Sequence, residues 1–223
     1  MKKVGIIGAM GSEIEHLRDM LTCREEITIA GRTFFSGKIG KAEVVLVCSG
    51  IGKVNSAMSA QILMDHFDLS EVINTGIAGG AHGTKTRDIV ISTEVTYHDM
   101  DLRILEMSYP NQRIFAASSR LVEEAKKACE GILTYHVGRI VTGDQFISDK
   151  TVKADIVNRL DPYAIEMEGG AIAHVCTVNE MPFVIIRSIS DNADDSAEMD
   201  YDTFEKLAAN DAAKIVVAML KQE

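Results

Sequence analysis

A few carboxylates and one arginine stand where a sheet would hold them, and their spacing suggests chemistry. In Glu166-Met167-Glu168, followed at once by Gly169-Gly170, two acids flank a methionine at the end of an apolar run. Side chains alternate along a strand, so Glu166 and Glu168 are expected on one side of the sheet, converging on a polar ligand such as a diol. Solvated acids at a helix N-terminus account for Glu166 equally well and for Glu168 less well. Residues 183–191 (Phe-Val-Ile-Ile-Arg-Ser-Ile-Ser-Asp) form an almost wholly apolar strand, with Arg187 inside it and Asp191 at its carboxyl end. A buried guanidinium is costly unless paired, so Glu13 or Glu168 is expected beside Arg187.

Glycine-bearing segments supply the second group of candidates. Gly5-Ile6-Ile7-Gly8-Ala9-Met10 leads into Glu13, with a glycine spacing that is not that of a dinucleotide site. A carboxylate at position 13 repels phosphate where a nucleotide would want N–H donors and a cation. Taken alone, Glu13 reads as a first-turn helix acid favoured by the helix dipole. Ser49-Gly50-Ile51-Gly52-Lys53 has the wrong spacing for a phosphate loop, and Val54 stands where a Mg²⁺-binding hydroxyl belongs. With Thr75-Gly76-Ile77-Ala78-Gly79-Gly80 it suggests a pocket floor made of backbone. His98 and His174 read as satisfied structural histidines. Asp194, Asp195, Glu198, Asp200 and Asp202 lack a Ca²⁺-loop spacing and read as a solvated acidic loop. No metal site is expected.

The elements that must position these residues follow from periodicity. Strand-like runs lie at 4–7, 27–29, 33–35, 44–47, 72–74, 88–95, 133–141, 164–167 and 183–189. Helical spacing covers 53–67, 119–129, 149–160, 169–178 and 201–220, with a further helix after Ser12 as its cap. Val54, Ala57, Met58, Ile62 and Met64 are placed near the apolar face of the helix from Lys53, and Gly31, Gly37 and Gly40 mark turns. Strands alternating with helices predict a single-domain α/β fold over residues 1–223, a three-layer α/β/α sandwich around a mixed sheet. Ligands in such folds sit beyond the carboxyl ends of the strands.

Composition limits the partners. Of 223 residues, 23 are Lys or Arg and 33 are Asp or Glu, for a formal net charge of −10, which argues against a sequence-independent grip on nucleic acid or anionic membrane. No apolar stretch approaches the ~20 residues of a membrane span, and a cytoplasmic protein is expected. Cys23, Cys48, Cys129 and Cys176 are scattered and read as buried reduced thiols.

Taken together, the stretches at 5–13, 49–55 and 74–79, Tyr97-His98-Asp99, Gly143-Asp144-Gln145-Phe146-Ile147, Glu166-Met167-Glu168 and residues 187–191 resemble the 5′-methylthioadenosine/S-adenosylhomocysteine nucleosidases, collinearly and over essentially the whole chain. The resemblance implies the nucleoside phosphorylase-like fold, a homodimer, and no metal or cofactor. By the same resemblance, Glu13 is the general base that activates water, and Asp191 the general acid that protonates adenine N7. Glu168 and Met167 hold the ribose hydroxyls, Phe146 stacks on adenine, and Ile147 offers its backbone to the adenine edge. Gly79 and Ile51 fall in substrate-binding loops, and Arg187 and Ser190 are supports. Cleavage of an N-glycosidic bond through an oxocarbenium-like sugar needs one acid, one base and one diol acceptor, which these residue types supply. A futalosine-type nucleosidase and a purine nucleoside phosphorylase of the same fold are the alternatives.

The chain departs from the resemblance at Ile77, where many relatives carry Ser, at Gly11 and Ser12, where acids are common, and over residues 102–115. That last segment, with Leu102, Ile104, Leu105, Met107, Tyr109 and Phe115, is too apolar for a solvated loop and lacks one clean period. It is expected to form a subunit interface beside the 5′ end of the ligand.

Overall fold

The computed structural model describes residues 2–193 and 197–221, the side chains of 197–200, 202 and 203 excepted. The chain opens with β1 (Lys3–Gly8), α1 (Gly11–Asp19), β2 (Thr22–Ile29), β3 (Arg32–Ile39) and β4 (Ala42–Cys48). Next come α2 (Lys53–His66), β5 (Glu71–Gly80), β6 (Ile89–Tyr97), α3 (Leu102–Leu105) and β7 (Phe115–Ala116). The rest is α4 (Ser119–Cys129), β8 (Tyr135–Thr142), α5 (Lys150–Leu160), β9 (Ala164–Glu166), α6 (Gly169–Val178), β10 (Phe183–Asp191) and α7 (Ala197–Leu220). Helices α4 and α6 have the bounds that periodicity predicts. Strand β5 runs six residues past Asn74, because its small residues 75–80 pair with both β10 and β9.

All strands belong to one mixed sheet in the order β10-β6-β8-β9-β5-β1-β4-β3-β2, with β7 on β6. Strand β10 also pairs with β5, so β5, β10, β6, β8 and β9 close a ring from which the other strands extend. Strands β1, β4, β5 and β10 run parallel, and their carboxyl ends share one edge. The period of two sorts their residues between layers. Ile6, Leu46 and Ile186 join the core beneath α1, α4 and α7, while Ile7, Val47 and Ile185 join the core beneath α2 and α6. That is the predicted three-layer α/β/α sandwich.

Four local expectations change. Met10, not Ser12, is the N-cap of α1, and Ser12 hydroxyl donates instead to Glu205 on α7 at 2.6 Å. Gly37 lies inside β3, not in a turn, because a Cβ there would come 2.7 Å from the Thr22 carbonyl oxygen on β2. Helix α2 buries Ser56, Ser59, Ala60 and Leu63 and leaves Val54 exposed, since small residues let it approach closely. Cys129 and Cys176 are buried as predicted, whereas Cys23 is exposed.

The segment 102–115 divides in two. Leu105 and Phe115 pack into the chain's own core, contrary to expectation, and Ile104, Met107 and Tyr109 face outward. Asp194 and Asp195 lie outside the described residues, as do the side chains of Glu198, Asp200 and Asp202. Among the described residues no helix is long and apolar enough to cross a membrane, and no group of His, Cys, Asp and Glu is placed to hold a metal ion.

Leu63 is fully buried between α2 and the sheet, away from the strand ends. Leu63→Ala is expected to lower unfolding free energy by about 2–5 kcal/mol through the cavity it leaves. Urea denaturation measures it, and a loss under about 1 kcal/mol would mean that the helix closes the gap.

Candidate active site

Arg187 is the fixed point of the site. It lies on β10 with 1% exposure, and its Nη2 donates to Asn74 Oδ1 at 2.8 Å and to Glu166 Oε2. Asn74 is held in turn by the Ile7 carbonyl oxygen on β1, 2.8 Å from its Nδ2. The closest ionic partner is thus Glu166, which was not expected, while the expected Glu168 stands second. Glu168 Oε2 lies 3.7 Å from Arg187 Nη2, inside ion-pair range but longer. Strand β9 runs antiparallel to the end of β5, and this return brings Glu166 onto the guanidinium.

Glu166 is saturated. Besides Arg187 it accepts the Thr142 hydroxyl, Glu168 N–H at 3.0 Å and Gly169 N–H at 2.6 Å. It does sit at the N-terminus of a helix, α6, but buried, not solvated. Three of its four donors fall on Oε2 and one on Oε1, so it serves the scaffold first, although it also lines the cavity at the strand ends. Glu168 escapes the same fate because β9 ends at Glu166 and Glu168 turns away as the N-cap of α6. Its Oε1 accepts Gly52 N–H at 2.8 Å. Burial, and then the neighbouring Glu166 charge, push the Glu168 carboxyl up to about 8, against the pull of Arg187 and the Gly52 N–H.

Glu13 is 3% exposed in the first turn of α1, and its carboxylate closes over three backbone donors. Ala9 and Met10 N–H donate to Oε2 at 2.6 and 3.0 Å, and Ile77 N–H donates to Oε1 at 3.0 Å. It therefore bridges the ends of β1 and β5. Burial raises its pKa, and Arg187 and the three N–H donors only partly offset that rise. Gly76 makes room for the cluster, since a Cβ there would fall within contact distance of both Glu13 Oε1 and Arg187 Nη1.

Beyond these strand ends opens a cavity of about 520 Å³. Glu13, Ile51, Gly79, Phe146, Ile147, Met167, Glu168, Ser190 and Asp191 all line it, and Arg187 lies behind the wall. Asp191 ends β10, where its Oδ2 accepts the Ser190 hydroxyl and its Oδ1 accepts Ala193 N–H, each at 2.7 Å. Phe146 is 46% exposed and meets Tyr201 edge-on at 5.6 Å between ring centroids. Sequence reasoning missed Tyr201, whose hydroxyl reaches Met10 Sδ at 3.3 Å, and gave Met10 no role. Met10 stood in a quoted glycine turn and was open to notice, whereas Tyr201 carries no local signal. His174 meets the Tyr97 hydroxyl at 3.3 Å, as a structural histidine should, but buried His98 has no hydrogen-bond partner at Nε2. Among the described residues lining the cavity there is no Lys or Arg.

The sheet carries a carboxylate-rich cavity at its strand ends, and the Phosphorylase superfamily model matches residues 3–221. A nucleosidase for 5′-methylthioadenosine and S-adenosylhomocysteine from an Exiguobacterium species is 42% identical over 99% of this chain and 98% of its own length. The Neisseria meningitidis enzyme of that name, solved with methylthio-immucillin-A, superposes with a TM-score of 0.94 at 38% identity, covering 100% of both chains. The Colwellia psychrerythraea enzyme, solved with adenine, gives 0.94 at 38% identity, covering 99% of this chain and 95% of its own. The chain belongs to the 5′-methylthioadenosine/S-adenosylhomocysteine nucleosidase family of that superfamily.

Removing one member of the buried pair should cost far more than removing both. Arg187→Met is expected to destabilise by about 3–5 kcal/mol, by leaving Glu166 buried and unpaired. Arg187→Met with Glu166→Gln should recover at least half of that loss. Urea unfolding of these two variants and of Glu166→Gln alone tests this, and additive losses would show that the pair is not coupled.

Proposed function

We propose that the chain is an N-glycosyl hydrolase that cleaves 5′-methylthioadenosine and S-adenosylhomocysteine to adenine and the 5′-substituted ribose. One observation carries this reading. The backbone N–H groups of Ala9, Met10 and Ile77, which would otherwise cradle a phosphate, are taken up by the Glu13 carboxylate in a cavity lined by no cation among the described residues. Such a site favours water over phosphate as nucleophile.

In this reading Glu13 holds and deprotonates the attacking water, and its raised pKa makes it a stronger base than an ordinary carboxylate. Glu168, with Met167, holds the ribose hydroxyls, and in its ionised form it stabilises the positive sugar as the bond breaks. Asp191, steadied by Ser190, protonates adenine N7 as the base leaves. Phe146 stacks on adenine, Ile147 offers its backbone to the adenine edge, and Gly79 and Ile51 complete the walls. Arg187 stays charged behind them and keeps Glu166 in place. The reaction needs no metal or cofactor. The working form is a cytoplasmic homodimer of single-domain chains, supported by the outward-facing Ile104, Met107 and Tyr109.

Incubation with methylthioadenosine, S-adenosylhomocysteine and futalosine, with and without phosphate, tests the reading. Adenine and free methylthioribose are expected in the phosphate-free tube. A phosphate requirement, or turnover of futalosine alone, would overturn it.

For Asp191→Asn, the loss should depend on the leaving group. Adenine leaves readily only when N7 is protonated, so kcat on methylthioadenosine is expected to fall by about 10²–10⁴-fold. A nucleoside whose base departs as a stable anion should lose much less, and equal losses on both would make Asp191 a positional residue.

The pH profile follows from the direction of the Glu13 shift. A base works only when ionised, and burial moves the ionisation of Glu13 upward, so kcat/KM should fall with acid at a pH above the 4.5 of an ordinary Glu. A profile still flat at pH 4.5 would remove Glu13 as the base.

A further inference from the structure

Three residues of the sequence motifs take no part in the reaction as described, yet the fold brings them together from distant turns. Lys53 follows β4, Asp99 follows β6 and Asp144 follows β8. Lys53 Nζ lies 2.8 Å from each Asp99 oxygen. Asp99 Oδ2 accepts Asp144 N–H at 2.9 Å, and Asp144 Oδ1 accepts Lys53 N–H at 2.8 Å. The three residues form a closed ring.

The place where this ring touches the chain gives it meaning. Lys53 is the first residue of α2, and the N-cap, Gly52, has no side chain to satisfy the free N–H groups there. Asp144 supplies that acceptor from another loop. One residue earlier, Gly52 N–H donates to Glu168 Oε1. Successive N–H groups thus serve two carboxylates, one structural and one facing the cavity. The turn that allows this has φ of +95° at Gly52, open to glycine but not self-enforcing. On its other side Arg32 Nε holds the Ser49 carbonyl oxygen at 2.7 Å, and Asn55 Nδ2 holds that of Ile51 at 2.7 Å. Phe146 follows Asp144 by two residues, so one anchor fixes both a wall and a polar group of the cavity.

We propose that the Asp99–Lys53–Asp144 ring is a positioning device for the hydrolysis, holding the Gly52 N–H on Glu168 and the Phe146 loop against the cavity. The inference rests on the reading of Glu168 as the ribose acceptor. An isolated exposed ion pair contributes little. Here Asp99 and Asp144 are exposed and Lys53 partly buried, so the Coulombic gain is small, but the pairs are closed through two backbone N–H groups and their effect is geometric. Burial would raise the Asp99 pKa, but the Lys53 ammonium and Asp144 N–H bring it below the usual range, so Asp99 stays ionised further into acid than a free carboxylate.

Glu168 is faced by Glu166 from β9, Arg187 from β10, Glu13 from α1 and the Gly52 N–H ahead of α2. Of these, the Gly52 N–H alone depends on the ring. Loosening it removes a donor that favours the ionised form, so Glu168 should ionise at higher pH and the acid limb of kcat should move up.

The test compares Asp144→Ala, Asp144→Asn, Lys53→Met and wild type on methylthioadenosine, with Leu63→Ala as a destabilised control. Asp144→Ala and Lys53→Met are expected to lower kcat about tenfold, a fraction of a charge-assisted hydrogen bond. Their acid limbs should rise by about half a pH unit or more. Asp144→Asn keeps an oxygen for Lys53 N–H and should recover most of the rate, while Leu63→Ala should leave the limb unmoved. Amide hydrogen exchange at Gly52 gives a readout independent of turnover, and it should quicken in Asp144→Ala and Lys53→Met. Unchanged exchange at Gly52, or a lower rate with no movement of the limb, would overturn the positioning role. A wild-type protein that releases no adenine would instead overturn the reading of the reaction, and the exchange result would still decide whether the ring holds Gly52.

Discussion

The buried charge of Arg187 is the constraint on which the rest of the site depends. Its guanidinium cannot give up its proton, and it lies inside an otherwise apolar strand. Three carboxylates, Glu13, Glu166 and Glu168, act on this one cation. Glu166 takes the direct contact and, with Thr142 and the N–H groups of α6, becomes structural. The other two are left short of compensation in a desolvated setting, and both ionise above the ordinary range. At an effective dielectric near 20, a unit charge about 4 Å away is worth about 4 kcal/mol. One cation therefore holds the cluster together without quenching it.

The topology is what makes such a cluster possible. Glu13, Glu166 and Arg187 come from α1, β9 and β10, which are far apart in sequence. The parallel run of β1, β5 and β10 places the carboxyl ends of three strands side by side, while β9 returns antiparallel against β5. Gly76 on the central strand leaves the space that Glu13 and Arg187 fill from either side. A side chain at position 76 would force one of them away. The absence of that side chain is as much a part of the site as the charges.

Much of this was legible in the residues themselves. Helices α4 and α6 announce their bounds by periodicity, and Arg187 announces a buried charge because its strand is otherwise apolar. The acids at 168 and 191 stand at strand-terminal positions, where a local reading can find them, whereas Glu13 alone reads as a first-turn helix acid and gains a role only through the family resemblance. Glu166 was misread because alternation along one strand says nothing about where that strand stops. Its pairing with Arg187 depends on the register of β9 against β5 and on the neighbouring β10. The far half of β5 was missed because Thr, Gly and Ala have little strand preference of their own, and partners on both sides impose the conformation. The face of α2 was read in part, since Ile62 and Met64 do pack against the core, but the closest packing is made by Ser56, Ser59 and Ala60, and Val54 is exposed. Tyr201 enters the cavity only through the course of the last helix, which no local pattern encodes.

The same local physics separates water from phosphate as the nucleophile. A strand-to-helix turn with convergent N–H groups is a general anion site, and evolution within one fold has two ways of using it. Left open and backed by a cation, it receives phosphate. Here it is closed from inside by Glu13, whose two oxygens take the N–H groups of Ala9, Met10 and Ile77. A phosphate entering would lose those donors and meet a like charge. About 4 kcal/mol of repulsion per charge pair at such a distance corresponds to roughly a thousandfold in affinity. Water, being neutral, suffers no such penalty. Donors that could have bound a phosphate are thus turned onto the carboxylate that the proposed mechanism uses as its base, and a single side chain on the first turn of α1 accounts for both effects.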